Sequence, residues 1–277
     1  MSLSLSRVSV TRGRAHVLRE LSLDIDDGEW LAVVGGTGSG RTTLAHVVSG
    51  LRRPRFGRVA LDGLDIWRRG GQASRRRLGL VMQRAEDQFL GETVFEDTAF
   101  GPRQTFRQTE LVDAAVDRAL RLVGFDPAQV GSRSPHAFSG GQRRRLAVAG
   151  LLALEPSVLV LDEPFAGLDG DARVEMIALL LGLRERGTAI VTLTSDIESV
   201  AGAGRMALLV NGEIGLTGHL RDLVANQRLC EEAGVTLPDN VRLSLELRKR
   251  GWNVPVLGPP GALEESIARE WGLRKRA

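Results

Sequence analysis

Hydrophobic and polar positions along the chain follow two regimes. In parts of the first sixty residues they alternate like antiparallel strands: Ser4 to Val10, with Leu5, Val8 and Val10, then Leu21 to Ile25, with Leu21, Leu23 and Ile25, and Arg58 to Leu61, with Val59 and Leu61. That period predicts strands of an antiparallel layer with one wet face. Further on the apolar runs are short and unbroken: Trp30 to Val34, Leu78 to Met82, Val158 to Leu161 and Ala189 to Leu193, each bounded by glycine, charge or polar turns. A strand apolar on both faces is one covered on both faces, which predicts a buried parallel sheet. Helical spacing fills the intervals. The clearest stretch opens at Thr109 as N-cap, places Leu111, Val112, Ala115, Val116, Ala119, Leu120 and Val123 on one face and stops at Gly124. Strands alternating with helices predict an α/β fold, with helices packed on a parallel sheet beside an N-terminal antiparallel β layer.

The pattern weakens after Asn226, where Pro238, Pro255, Pro259 and Pro260 punctuate the chain. Asp239 to Gly251 fits helix or strand, and Ala262 to Trp271 carries Leu263, Ile267 and Trp271 at helical spacing. The expected organisation is a main domain over residues 1–225 and a small C-terminal extension over 226–277.

Composition narrows the class. The 277 residues carry 37 Lys and Arg against 34 Asp and Glu, a formal charge of +3. The positive side is almost all arginine, Lys249 and Lys275 being the only lysines. The arginines are scattered, aromatics make up 4% and tyrosine is absent, so the stacking platforms of single-strand nucleic-acid binders are missing. No apolar stretch approaches the roughly 20 residues of a membrane-spanning helix. The alternating N-terminus lacks the apolar centre of a signal peptide, so the chain is expected in the cytoplasm. Cys230 is the only cysteine, which excludes an internal disulfide and a cysteine metal cluster, and it reads as a small buried thiol.

Chemistry concentrates at three places. After the strand ending at Val34 comes Gly35-Gly36-Thr37-Gly38-Ser39-Gly40-Arg41-Thr42-Thr43, then the apolar start of a helix. The spacing is that of a P-loop, G-x-x-x-x-G-K-S/T, in the required strand–loop–helix context. Glycines let the backbone curl so that successive N–H groups face phosphate oxygens, and the helix N-terminus adds positive potential. Thr42 offers a hydroxyl to Mg²⁺. A dinucleotide fingerprint fits less well, because its third glycine is missing. The strand Val158 to Leu161 ends in Asp162-Glu163, which brings two carboxylates to the same edge of the sheet: Asp162 to hold Mg²⁺ through water, Glu163 to polarise an attacking water. Ser139-Gly140-Gly141-Gln142 opens a helix expected over Arg143 to Leu154, a second anion site.

Phe138-Ser139-Gly140-Gly141-Gln142 resembles the LSGGQ signature of ATP-binding cassette proteins. Its companions stand in that family's order: Gln83 after a strand, the signature, Asp162-Glu163, then Phe165-Ala166-Gly167-Leu168-Asp169. The resemblance covers residues 1 to about 225. It implies a P-loop NTPase core with a helical signature subdomain over roughly 84–150. It implies Mg-ATP sandwiched between the P-loop of one subunit and the Ser139–Gln142 signature and Asp169 of another, with Thr42, Gln83 and Asp162 about the metal and Glu163 and Ser195 at the catalytic positions. Val81 to Phe89 and Glu96 to Pro102 are similar to the QNPDDQ and DVAFGP stretches of energy-coupling factor ATPases, which power uptake of vitamins and of cobalt or nickel ions. The tail from Leu237-Pro238 to Pro255 resembles the extension that keeps such ATPases paired. The implied partners are a second ATPase subunit, in a heterodimer rather than a homodimer, a transmembrane coupling component and a substrate-binding membrane subunit. The implied place is the inner face of the cell membrane, without nucleic acid. Phe89, Val94, Phe95 and Phe100 are the expected groove for a helix of the membrane component.

Three positions depart from the family pattern. Arg41 stands for the P-loop lysine, Ser195 for the switch histidine, and Val10, Thr11 or Arg12 for the aromatic that stacks on adenine. Each lost transition-state donor is worth roughly 3–4 kcal/mol, or about 10²–10³ in rate, so the chain's own site is expected to be slow. A hydrolysis-poor regulatory subunit is the alternative, and a non-transport cassette acting on DNA or ribosomes a more distant one.

Overall fold

The computed structural model describes residues 2–13, 15–258 and 261–274. Pro259 and Pro260 lie outside them. The chain opens with a long hairpin, β1 (Ser2–Arg12) and β2 (Ala15–Asp26). Leu3, Leu5, Val8 and Val10 of β1 and Leu18, Leu21, Leu23 and Ile25 of β2 are all buried, but the alternation is interrupted by register shifts between Leu5 and Val10, where Arg7 and Glu20 take positive φ. Then come β3 (Trp30–Val34), α1 (Arg41–Val48), β4 (Phe56–Leu61), the short β5 (Leu64–Asp65), α2 (Gln72–Arg75) and β6 (Leu78–Val81). A helical stretch follows: α3 (Val94–Thr105), α4 (Thr109–Leu122), α5 (Pro127–Val130) and α6 (Gly140–Leu152). The chain returns through β7 (Val158–Asp162), α7 (Gly170–Glu185), β8 (Ala189–Thr194), β9 (Arg205–Val210) and β10 (Glu213–Gly218). It closes with α8 (Leu220–Ala225), α9 (Gln227–Glu232), α10 (Asp239–Lys249) and α11 (Ala262–Arg274).

Two sheets result. The N-terminal one has the order β2-β1-β4-β5 and is antiparallel; the central one has the order β10-β9-β3-β8-β7-β6. Five central strands run parallel and β10 is antiparallel at the edge. Period two sorts the side chains of each buried strand into two cores. Leu31 and Val33 face the N-terminal sheet with Val160 and Val191, whereas Trp30, Ala32 and Val34 join Leu159, Leu161 and the helices. The buried indole N–H of Trp30 donates to Thr192 Oγ1 at 3.0 Å.

Several expectations shift. β9 and β10 were not predicted, though Met206–Leu209 is fully apolar and buried. Helix α4 is capped by Gln108, with Thr109 as its first helical residue. Leu111 is 47% exposed. The stripe Val112, Ala115, Val116, Ala119, Leu120 repeats at three and four, and Leu111 sits on its flank. Helix α6 begins at Gly140, not Arg143, because Ser139 Oγ accepts from the Gln142 N–H while Gln142 returns to the Ser139 N–H, a capping box. The ambiguous stretch from Asp239 is helical.

The chain beyond residue 226 does not leave the body of the molecule at once. Cys230, Ala233, Val235, Leu237 and Val241 join the same core as β3 and α6. The Gly36 N–H donates to Ala233 O at 2.7 Å, tying the first P-loop residues to the end of α9. Burial raises the Cys230 thiol above its ordinary value, with the charge of Glu231 adding to it.

Candidate nucleotide site

Strands β3, β7 and β8 end on one edge of the central sheet, and the loops that leave them line a cavity of about 620 Å³. Gly36, Thr37, Gly38, Gly40, Arg41, Thr42 and Thr43 form one wall. Gln83, Asp162, Glu163, Ala166 and Ser195 form the other, with Arg12 and Val17 at the rim. Gly35 and Ser39 underlie the loop: the Gly35 N–H donates to Thr194 O and the Ser39 N–H to Gly36 O, each at 3.2 Å. Gly40 caps α1 at φ +105°, where a Cβ would also press on Val17 O at 3.0 Å, so a glycine is required. The leading N–H groups of α1 lack acceptors within the helix, and the residues that carry them, Arg41, Thr42 and Thr43, line the cavity.

The carboxylates sit in different environments. Asp162 is buried; burial raises its carboxyl above the ordinary value, the Thr42 hydroxyl bonded to it pulls it down, Glu163 pushes it up, and Arg41 and His46 pull it down again. Glu163 follows in the left-handed backbone region at φ +50°, uncommon for a residue with a side chain. Its N–H donates to Leu193 O at 2.8 Å. Its carboxylate accepts from three residues. Arg41 Nη1 pairs with Oε1, Thr194 Oγ1 donates to Oε2 at 2.8 Å, and Ser195 donates to Oε1 from its N–H at 3.1 Å and its hydroxyl at 3.3 Å.

The cavity does not contain all the residues named from sequence. Ser139 to Gln142 are absent from its walls and cap α6, with Gln142 spent on the capping box. Asp169 is also elsewhere, capping α7 through Ala172 N–H at 2.8 Å. The expected groove is only partly there. Val94 is buried in the core, Phe89 packs edge-on against His136 at 5.8 Å, and Phe95 lies under Arg103. Phe100 alone of the four is exposed, with Leu90 near it in sequence also exposed. Sequence reasoning passed over Arg144 and Thr194. The arginine triplet Arg143-Arg144-Arg145 marked the first only weakly, because helical turn geometry decides which of three neighbours points inward.

The fit to a nucleotide rests on more than spacing. Thr37, Thr42 and Thr43 bring hydroxyls and Arg41 a cation to one cavity opposite Asp162 and Glu163, a donor set that suits phosphate with a divalent cation; the buried Ser39 Oγ, without a partner among the described residues, lies off the cavity wall. A glycine loop and a helix N-terminus on one side, paired acids on the other, and a glycine-opened helix outside define an ATP-binding cassette.

Comparison with known proteins agrees. The ABC transporter family profile matches residues 18–166. Energy-coupling factor transporter ATP-binding protein EcfA2 of Symbiobacterium thermophilum is 44% identical, over 86% of this chain and 83% of that protein. The EcfA1 protein of Halalkalibacterium halodurans is 37% identical, over 93% and 91%. Among solved structures, cbiO1 from Clostridium perfringens, part of the ABC transporter complex cbiONQ, superposes with a TM-score of 0.73 at 27% identity, covering 90% of this chain and 96% of that one. A dimeric bacterial ABC transporter cassette superposes with a TM-score of 0.70 at 26% identity, covering 79% and 99%. The chain belongs to the ABC transporter family, in its branch of energy-coupling factor ATP-binding proteins.

Proposed function

We propose that this chain is the ATP-hydrolysing, energy-coupling subunit of an importer for a vitamin or a transition-metal ion, working in a pair of ATPases against a membrane component. The observation that carries the reading is the division of the site. The P-loop, Asp162, Glu163 and Ser195 share one cavity, while the Ser139–Gln142 signature lies outside it, available to a nucleotide held by a second subunit. No described helix is long and apolar enough to cross a membrane, so transport needs a partner that does. The exposed surface at Phe100 and Leu90 is its contact, and the exposed Leu243 and Trp271 of α10 and α11 serve pairing of the ATPases.

Thr42, Asp162 and Gln83 would hold Mg²⁺, which neutralises phosphate charge during transfer. The residues of the chain do the rest. P-loop N–H groups and Arg41 orient the phosphates, and Glu163 accepts the proton of the attacking water. Arg41 is a forked, bulky cation where a compact point charge is usual, and it is held by the very carboxylate that must receive that proton. Ser195 supplies a hydroxyl where an imidazole would reach further. This chain's own site is therefore the slower of the pair, and its partner's site, completed by Ser139, the faster, which favours a heterodimer.

Titration of a fluorescent ATP analogue into the folded chain tests the binding reading. Saturable, Mg²⁺-dependent binding below millimolar nucleotide is expected; its absence would overturn it. Phosphate release by the assembled transporter, measured against the chain alone, tests coupling.

A further inference from the structure

The second turn of the signature helix hides a cation that binds the chain's own catalytic loops. Arg144, one turn into α6, is 8% exposed. Its Nη1 donates to Glu163 O at 3.2 Å, Pro164 O at 2.9 Å and Ala166 O at 2.8 Å. Its Nη2 donates to Gln83 O at 2.9 Å. One planar guanidinium thus gathers four backbone carbonyls from two loops. Three of them belong to the turn that carries the water-polarising residue, and the fourth to the residue that leaves β6 for the helical stretch.

We infer that Arg144 is a positioning residue that sets the backbone of Glu163 and couples it to Gln83 and the signature helix. Glu163 occupies a left-handed conformation that a non-glycine residue holds only when its surroundings over-determine it. Its N–H is fixed by Leu193 O on one side, and its carbonyl by Arg144 on the other. The guanidinium fork supplies donors in several fixed directions; an ammonium at the end of a lysine is a single compact point and cannot reach both loops. Buried cations demand such compensation, and carbonyl dipoles provide it here. Movement of α6 on engaging the partner's nucleotide is then passed to the chain's own Glu163 and Gln83, which links the two sites of the pair.

The inference rests on Glu163 as the water-polarising residue, and the test keeps the two apart. The transporter is assembled with a partner ATPase whose corresponding glutamate has been changed to glutamine, so that remaining ATP cleavage occurs at this chain's Glu163. In that background Glu163→Gln should abolish cleavage. Arg144→Lys should lower kcat at least tenfold with KM for ATP within twofold, since a displacement of the order of 1 Å at a catalytic group costs about 10². Hydrogen exchange of the nucleotide-free chain should rise at 83–90 and at 162–168 together in Arg144→Lys, with the rest unchanged. Cleavage indifferent to Glu163→Gln, or absent before any change, sinks the Glu163 reading and the inference with it. Cleavage that falls in Glu163→Gln but holds in Arg144→Lys overturns the positioning role alone. A global rise in exchange with parallel loss of ATP binding would make Arg144 an ordinary structural brace, which also overturns it.

Discussion

Arg41 and Glu163 grip one another across the nucleotide cavity. The P-loop cation and the carboxylate beside it form an ion pair with side chains only 11% and 14% exposed. Removing one member of a well-buried pair costs about 3–5 kcal/mol because the other is left uncompensated. A phosphate entering the loop would offer Arg41 a replacement partner, and nucleotide binding would then release Glu163.

Replacing Glu163 by Gln should therefore tighten ATP binding, because the phosphates no longer compete with a carboxylate for Arg41. About tenfold is expected, equivalent to about 1.4 kcal/mol. Equilibrium titration of the nucleotide analogue into both proteins reads this directly, and weaker binding by the variant would show that the pair does not oppose the nucleotide.

Restoring the usual residues should speed the chain's own site. Arg41→Lys removes the fork that clasps Glu163, and Ser195→His adds a donor where hydroxyl reach is short. The double variant should raise phosphate release by the chain about 10²-fold, the worth of one well-placed donor. An unchanged rate would place the limitation elsewhere, in pairing or in product release.

In the assembled pair the two halves of this chain should weigh unequally. Glu163→Gln here should leave most ATPase activity, whereas Ser139→Arg, which puts a bulky cation at the mouth of α6, should abolish most of it. Steady-state phosphate release from the purified complex gives the ranking. The reverse order would assign the faster site to Arg41.

Gly36 should tolerate no side chain. A Cβ there would meet Ala233 O at 2.8 Å and Gly234 Cα and O at 3.0 Å, all backbone. Gly36→Ala should cost about 1–3 kcal/mol by overpacking, lower Tm and weaken ATP binding together. At Gly140 an added Cβ meets nothing within 4 Å, so Gly140→Ala should leave Tm within a degree or two. Equal melting of both variants would mean that the end of α9 does not brace the P-loop.

Asp97 adds a pH-dependent element outside the cavity. Burial raises its carboxyl; the N–H groups of Leu90 and Gly91 bonded to it, at 2.7 and 3.2 Å, and the charge of His136 oppose this in part. The folded state thus holds the proton more firmly than the unfolded one, and stability from this residue falls as pH rises from its ordinary value through the raised one. Asp97→Asn should be at least as stable as the parent at pH 7, with the advantage shrinking on acidification as Asp97 takes up its proton. Chemical denaturation at pH 7 and pH 5 measures both differences.

Elements whose physics is local were legible along the chain. The unbroken apolar run Trp30–Val34 reads as a strand covered on both faces, and the glycine spacing that ends at Gly40 before α1 reads as a phosphate-binding loop. Asn211-Gly212 was a legible hairpin sign too: both residues have positive φ and join β9 to β10. β9 is an apolar run of the same kind as β3 and was legible too, whereas β10, an edge strand of alternating exposed positions, has no unbroken apolar run to mark it. Tertiary structure decided what depends on residues distant in sequence. Whether Arg41 points at a phosphate or at Glu163, 122 positions away, is a matter of which loops the parallel sheet brings to one edge. Arg144 reads as one of three equal arginines until the rotation of α6 buries it against carbonyls 61 and 22 positions away. Charge and periodicity are properties of the chain, but the partner that a charge finds is set by the packing of elements, and so is the work it does.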